Sequence, residues 1–331
     1  MINKKVLVIG SNSFSGSFFI KYLIDRGYQV LGCSRSNEKQ DFFLPYKWTK
    51  DKSLFDFFLF DINKDIKKIE HLIAEKKIEY IVNFAAQSMV GESWENPEDW
   101  FQTNAVALSK LISRIKSIPS IKKYVHVTTP EVYGNCLGFV SEDQRINPST
   151  PYASSRVASD LILRNFYDAF SFPYVATRAS NVFGPGQQLY RIIPKTIMSI
   201  LLNKKICLHG DGLSTRSFIY MEDVCIATEK LMLHGTSGET YHISTDELIS
   251  IKDLVKMICS KLNVNFHDYV EYTEDRIGKD SSYQLNSDKI RSSLKWSEKT
   301  SLDEGLDITI KWVKENLENL RGINLEYSHK K

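Results

Sequence analysis

Lys5-Val6-Leu7-Val8-Ile9-Gly10 runs straight into Ser11-Asn12-Ser13-Phe14-Ser15-Gly16. Val6 to Ile9 are apolar without polar alternation, the pattern of a parallel strand buried on both faces. Glycines in the turn after such a strand permit φ > 0 and let backbone N–H groups approach a pyrophosphate at a helix N-terminus. The usual middle glycine of this fingerprint is Ser13 here, so the match is Gly-x-x-Ser-x-x-Gly. A plain strand-to-helix turn is the alternative. Placement between a strand and a helix favours dinucleotide binding, with Gly10, Asn12, Ser13, Phe14, Ser15 and Gly16 as contacts.

Outward from this stretch, Phe18 to Arg26 carries apolar residues at helical spacing, with Gly27 as its C-cap. Further strands are expected at Gln29–Cys33, Phe57–Phe60, Tyr80–Phe84, Tyr124–Thr128 and Tyr174–Arg178, with helical patterns between them. Strands alternating with helices imply an α/β fold, a doubly wound parallel sheet with right-handed crossovers.

The 331 residues hold 43 Lys+Arg against 40 Asp+Glu, a net charge of +3, which argues against a dedicated nucleic-acid binder. Hydrophobic content of 42% and charged content of 25% exclude a disordered chain or a small disulfide scaffold. Five scattered cysteines without a C-x-x-C pair fit a reducing compartment and offer no metal cluster with the histidines. No run is long enough to span a bilayer, so a cytoplasmic protein without a membrane partner is expected. The lysine-rich end, from Glu315 onward, reads as a solvated helix and a frayed tail.

The end of the second strand selects between the two nicotinamide dinucleotides. An acid there binds the ribose 2′-OH of NAD, whereas an arginine accommodates the 2′-phosphate of NADP. Cys33-Ser34-Arg35-Ser36 contains no acid, so NADP is favoured, with NAD possible. Arg35 stacked on adenine or simply solvated is the competing reading. Asp61-Ile62, after the third strand, is placed to hold the adenine edge, unless Asp61 is an ordinary loop acid.

Thr128-Thr129-Pro130-Glu131-Val132-Tyr133-Gly134 follows the fifth strand, and ligands of open α/β sheets sit beyond such strand ends. Downstream, Tyr152 and Arg156 lie four apart on one face of a helix. A nearby cation favours phenolate and lowers a tyrosine pKa, so Tyr152 is a candidate general base for oxidising a carbinol. A surface Tyr–Arg contact is the bland alternative. His126, inside a buried strand, reads as a core histidine rather than a base.

Together these segments resemble the extended short-chain dehydrogenase/reductase family, in its nucleotide-sugar 4,6-dehydratase branch. The similarity includes Asn83-Phe84-Ala85-Ala86-Gln87-Ser88, Thr129-x-Glu131-Val132-Tyr133-Gly134, Pro151-Tyr152 and Arg178-Ala179-Ser180-Asn181-Val182-Phe183-Gly184-Pro185. It continues through Arg216-Ser217-Phe218-Ile219-Tyr220-Met221-Glu222-Asp223, Asp275-Arg276-x-Gly278-Lys279-Asp280 and Leu294-Lys295-Trp296. The resemblance implies a modified Rossmann domain over residues 1–184, with 221–245 returning to it. A smaller C-terminal α/β domain over 185–220 and 246–320 would clamp a nucleotide diphosphate sugar, and 321–331 would be a tail.

In that family, hydride leaves sugar C4, water is lost across C5 and C6, and hydride returns at C6. By resemblance, Thr129 binds the C4 hydroxyl, Tyr152 takes its proton and Glu131 abstracts the C5 proton. Ala85, Ala86 and Gln87 join the cofactor contacts. Ser88 and Asn181 touch the nucleotide sugar, and Arg216 and Arg276 face its phosphates. Arg191 and Lys195 are further phosphate candidates or solvated helix charges. A homodimer built on helices near 98–116 and 152–170, or a higher homo-oligomer, is also implied.

Two residues depart from the family pattern. Arg156 stands where the family has lysine, and its fork geometry makes the exchange non-conservative. Pro130 stands where glucose-type dehydratases carry a proton-donating Asp. The mannose-type branch lacks that Asp as well, and Gln87-Ser88 and Arg35-Ser36 lean the same way, toward a GDP-sugar. A 4,6-dehydratase is therefore the leading expectation. A C4 dehydrogenase or epimerase, a decarboxylase and a catalytically dead cofactor sensor are the alternatives.

Overall fold

Val6, Leu7 and Val8 have no exposed surface, as a strand covered on both faces requires. The computed structural model describes residues 4–136, 138–274 and 284–329. Its main sheet contains β1 (Lys5–Ile9), β2 (Gln29–Ser34), β3 (Phe55–Leu59), β4 (Tyr80–Asn83), β5 (Lys123–Val127), β6 (Tyr174–Ala179) and β7 (Thr240–Ile243). The strand order is β7-β6-β5-β4-β1-β2-β3, with every ladder parallel. Succession reverses between β1 and β4, and a ligand crevice lies beyond the carboxyl ends of strands at such a reversal.

Alternate residues of each strand face opposite layers. Val6, Val8, Val30, Val82 and Val125 pack under helices α1 (Phe14–Asp25) and Met221–His234. Leu7, Ile9, Leu31, Ile81 and Tyr124 pack on the other face, under α2 (Ile66–Lys76), Leu108–Ile115 and Pro151–Phe170. A separate core gathers Ile193, Ile197, Leu208, Leu254, Ile258, Leu306 and Val313. Phe43, from the β2–β3 connection, enters that core, its ring 6.3 Å from Trp312.

Local chemistry moves some boundaries from the expected ones. The first helix starts at Phe14 rather than Phe18 because the Ser13 side chain caps it, accepting the Gly16 N–H at 3.0 Å. β3 begins at Phe55, two residues early, where that ring lies 4.6 Å from Tyr46. This partner is invisible to strand periodicity. Among the described residues, no helix is long and apolar enough to cross a membrane.

The expected frayed tail is corrected. Leu320 is fully buried, and Glu326 pairs with Lys195 at 2.6 Å. Tyr327 meets Tyr190 edge-on at 5.3 Å. His329 stacks on Trp100 at 4.9 Å and touches Asp99 at 2.8 Å. The tail is tied down by its aromatic rings, which the surrounding charge obscures in the sequence. His329→Ala should uncover Trp100, red-shifting tryptophan emission and lowering unfolding free energy by about 1 kcal/mol, as for a typical single substitution. Chemical denaturation followed by fluorescence checks both, with Ser328→Ala as the unaffected control.

Candidate functional site at the carboxyl edge of the sheet

Gly10 has φ +87°, and a Cβ there would stand 2.7 Å from the Ala85 nitrogen at the exit of β4. At Gly16 a Cβ would meet the Gly10 carbonyl oxygen at 2.3 Å. Neither position accepts a side chain without moving backbone, so both glycines of the fingerprint are sterically required. Ser13 needs no glycine. Its φ is −73°, and its hydroxyl donates to the Gly10 carbonyl at 2.7 Å while capping the helix. The substitution keeps the cradle's shape, and Phe14 and Ser15 begin the helix whose N-terminus faces the crevice.

The exit of β2 is tied to the glycine loop. Ser34 Oγ accepts the Asn12 N–H at 2.9 Å, and Asn12 Nδ2 donates to the carbonyls of Ser36 and Asn37. Asn12 thereby staples the β2 exit to the glycine loop, leaving Arg35 and Ser36 exposed. The nearest acid on this segment, Glu38, is held by Lys47 at 2.8 Å and by the Tyr46 hydroxyl at 3.0 Å. Asp61 Oδ1 accepts the Asn63 N–H at 2.8 Å and so builds its own turn, while Ile62 is buried in the core beside Leu31 and Cys33. Sequence reasoning missed Ser34 and Tyr46. A hydroxyl at the acid's usual position was the available signal for Ser34.

The loop after β4 is held by a residue not foreseen. Asn104 Oδ1 accepts the Gln87 N–H at 2.9 Å. Its amide donates to the Gln87 carbonyl at 3.0 Å and to Ser155 Oγ at 2.9 Å. Asn104 lies in a π-helical stretch, Gln102–Ala107, a feature frequent at functional sites. No local pattern singled it out, because Gln102 and Thr103 beside it are polar as well. The Ala85 N–H is fixed by Asn83 Oδ1 at 2.9 Å, and Ser88 is exposed at the crevice rim.

Thr129 lies two residues past β5 and caps a 3-10 turn, Pro130–Tyr133, its Oγ1 accepting the Glu131 N–H at 3.3 Å. Pro130 suits the first position of such a turn, where its missing N–H would have lacked a partner. Behind the turn, the Tyr133 hydroxyl meets His242 Nε2 at 2.7 Å and accepts from Arg178. Arg178 in turn pairs with Asp160 at 2.7 Å. Burial, with the Arg178 charge, pushes His242 down to about 3, so it is neutral. This network locks the Glu131 turn onto β6, β7 and the helix of Tyr152.

Thr150 caps that helix, Pro151–Phe170, through the Ala153 N–H at 3.1 Å, and the cap places Tyr152 in its first turn. Tyr152 is 7% exposed and hydrogen-bonded to Thr129. The expectation of a lowered tyrosine pKa is corrected. Burial pushes the Tyr152 phenol above its ordinary value, the Glu131 charge pushes the same way, and Arg156, Thr129 and Arg191 pull it back only in part. Desolvation outweighs the cation here.

Arg156 is 1% exposed, and its Nη2 donates to the Val127 carbonyl. Its Nε and Nη1 are buried with no protein partner. The cradle built by Gly10 and Gly16, which admits no Cβ, fits a dinucleotide pyrophosphate at the helix N-terminus. Among the described residues, no cluster of His, Cys, Asp and Glu is arranged to hold a metal ion.

On the opposite wall, Asn181 donates its N–H to the Ser217 carbonyl at 3.0 Å, which brings Asn181 beside Arg216. The Arg216 Nη1 donates to the Thr215 carbonyl at 2.7 Å. Arg191 precedes the helix Ile192–Leu201 and lies 5.5 Å over the Tyr190 ring. Lys195, the other phosphate candidate, has its ammonium 2.6 Å from Glu326 of the tail. Arg276 lies outside the described residues.

The chain is similar to known proteins over most of its length. Human dTDP-D-glucose 4,6-dehydratase is 31% identical over 97% of this chain and 93% of its own length. A crystal structure of the dTDP-glucose 4,6-dehydratase from Streptomyces venezuelae, with NAD and TYD bound, superposes with a TM-score of 0.89 at 26% identity, covering 95% of this chain and 98% of that one. A UDP-glucose 4-epimerase from Thermotoga maritima, with UDP-glucose, gives a TM-score of 0.86 at 25% identity, covering 95% and 99%. The pattern of the GDP-mannose 4,6 dehydratase family matches residues 7–309, and with the glycine cradle, the Thr129–Glu131 turn and the Tyr152 helix in place, the chain belongs to that family.

Proposed function

We propose that this protein is a nucleotide-sugar 4,6-dehydratase that binds NADP in preference to NAD. The observation that carries the reading is the joining of Glu131, Thr129 and Tyr152 at one strand end. The tyrosine is hydrogen-bonded to Thr129 and feels the Glu131 charge. A second carboxylate base has no purpose in simple alcohol oxidation. A bound nicotinamide dinucleotide supplies reversible hydride acceptance, so the overall reaction is loss of water. Gly10, Gly16 and the amides of the first helical turn would hold its pyrophosphate, and Arg156 and Tyr152 its nicotinamide half.

Thr129 orients the C4 hydroxyl and Tyr152 takes its proton. The resulting C4 ketone acidifies C5, where Glu131 removes the proton. Pro130 has no proton to give, so Glu131 itself delivers a proton to the departing C6 hydroxyl. Arg191, Arg216, Asn181 and Ser88 bind the nucleotide diphosphate. The division into a cofactor part, 1–184 with 221–245, and a substrate part, 185–220 with 246–320, is proposed on the separate core around Ile197 and Leu254. Exposed Phe101, Val106, Leu161 and Phe170 on the two helical segments support a homodimer through that face. The GDP-sugar expectation rests on Gln87-Ser88 and Arg35-Ser36, whereas similar proteins are named for dTDP- and UDP-sugars. Pro130 favours one second reading, a C4 oxidoreductase or epimerase without dehydration.

Mass spectrometry of GDP-, dTDP- and UDP-sugars incubated in D2O separates the two. Loss of one water with deuterium at C5 supports dehydration, and an inverted C4 with no water loss supports the second reading. Glu131→Gln should slow C5 exchange about 100-fold or more while leaving nucleotide-sugar affinity within about threefold, as expected for removal of a general base.

Tyr152 must lose its proton to act and its pKa is raised, so C4 oxidation should climb with pH through that pKa and level off above it. Arg156→Met removes a lowering charge and should move the limb to higher pH. Glu131→Gln removes a raising charge and should move it lower; single-turnover absorbance across pH checks both signs. Arg35→Ala should cut the NADP-over-NAD affinity ratio about tenfold, the scale of one charge-assisted hydrogen bond, read by calorimetry.

A further inference from the structure

The connection between β2 and β3 brings an acid and a cation to the edge of the glycine loop. The two nicotinamide dinucleotides differ at this edge, because the adenosine ribose lies at the end of the second strand. Here Ser34 ends β2, and its Oγ accepts the Asn12 N–H at 2.9 Å. Asn12 belongs to the glycine loop and is 4% exposed. Its Nδ2 donates to the carbonyls of Ser36 and Asn37, which leaves its Oδ1 facing the Tyr46 hydroxyl at 3.2 Å. The same hydroxyl lies 3.0 Å from Oε1 of Glu38, and Lys47 Nζ lies 2.8 Å from that oxygen. One hydroxyl group thus separates the Glu38 carboxylate from the Asn12 side chain.

The pair is held from behind. Tyr46 is 2% exposed, and its ring lies 4.6 Å from Phe55 of β3. Burial, with the Glu38 and Asp41 charges, pushes its phenol up, so the hydroxyl stays protonated and donates. The Lys47 N–H donates to the Leu44 carbonyl at 2.7 Å, and Phe43 just before it is set in the second core. The Glu38 and Lys47 side chains are 28% and 27% exposed. Charges so far withdrawn from water are weakly screened, and they act on a ligand beside them. The sequence hides this, because Glu38 stands past the strand end, beyond the place where an acid signals NAD.

NADP carries a phosphate on the ribose oxygen where NAD has a hydroxyl, so a charge here weighs on one and little on the other. Glu38 alone repels that phosphate, Lys47 alone attracts it, and paired they cancel. We propose that the Glu38–Lys47 pair, held beside Asn12 by Tyr46, sets the preference between dinucleotides with and without a 2′-phosphate. The inference rests on the reading of the glycine loop as a dinucleotide site, but not on dehydration.

The test is calorimetric titration of the protein with NADP and with NAD. Lys47→Met leaves the carboxylate uncompensated and should raise Kd for NADP about tenfold, with Kd for NAD within about twofold. Glu38→Gln leaves the ammonium uncompensated and should lower Kd for NADP about threefold, again with little change for NAD. The double variant has no net charge at the pair, so its NADP-to-NAD ratio should return to within about twofold of wild type. A merely structural pair gives the opposite pattern, an equal loss for both dinucleotides that the double variant deepens. That pattern, an unchanged ratio in Lys47→Met, or a double variant that does not recover overturns the proposal. If Lys47→Met does not fold, Glu38→Gln decides, since tighter NADP alone supports the proposal and an unchanged ratio overturns it. A protein that binds neither dinucleotide sinks the cofactor reading and this one together, whereas binding with an unresponsive ratio overturns only the role of the pair.

Discussion

Backbone meets backbone at the point where the strand order reverses. Gly10 leaves β1 at φ +87° so closely under the start of the β4 loop that a single methyl group would stand 2.7 Å from Ala85 nitrogen. That approach sets the distance between the glycine loop and the loop carrying Ala85, Ala86 and Gln87. Everything in the crevice is referred to it. Helix α1 points its N-terminus along the same line because Gly16 fits under the Gly10 carbonyl, and Asn12 carries the constraint outward to the β2 exit. The far side of the Gln87 loop is then tied by Asn104 to the helix bearing Tyr152.

Burial works against the chemistry at the other end of the crevice and is used there. Tyr152 is deprived of water, which disfavours phenolate, and the nearby Glu131 charge adds to the penalty. Arg156 offsets part of this, and it can do so because it too is out of water, where charges interact strongly. A buried guanidinium has its own cost unless its donors are satisfied. Here the fold supplies a carbonyl for one arm.

Much of the site was legible in the sequence. The glycine loop, Thr129, Glu131, Tyr152 and Asn181 stand in local patterns, because strand ends and helix starts demand particular residue types at fixed offsets. Ser13 looked like damage to the fingerprint and is a helix cap at an ordinary φ. Asn104, Ser34 and Asp160 were not read, since each acts on a partner far away in the chain. The docked tail was misread for the same reason. Lysines around it suggested solvent, while Trp100 and Tyr190, the rings that hold it, lie more than 130 residues earlier.

The sequence by itself determined the alternation of buried strands and capped helices, hence the doubly wound sheet, and the family that its motifs resemble. Those properties follow from periodicity and turn chemistry, which are local. Only the tertiary structure decided the sign of the Tyr152 shift, the engagement of Lys195 by the tail and the pairing of Glu38 with Lys47 beside Asn12. Each depends on how much water and which charges surround a group. Those are set by residues brought together through folding rather than by neighbours in the chain.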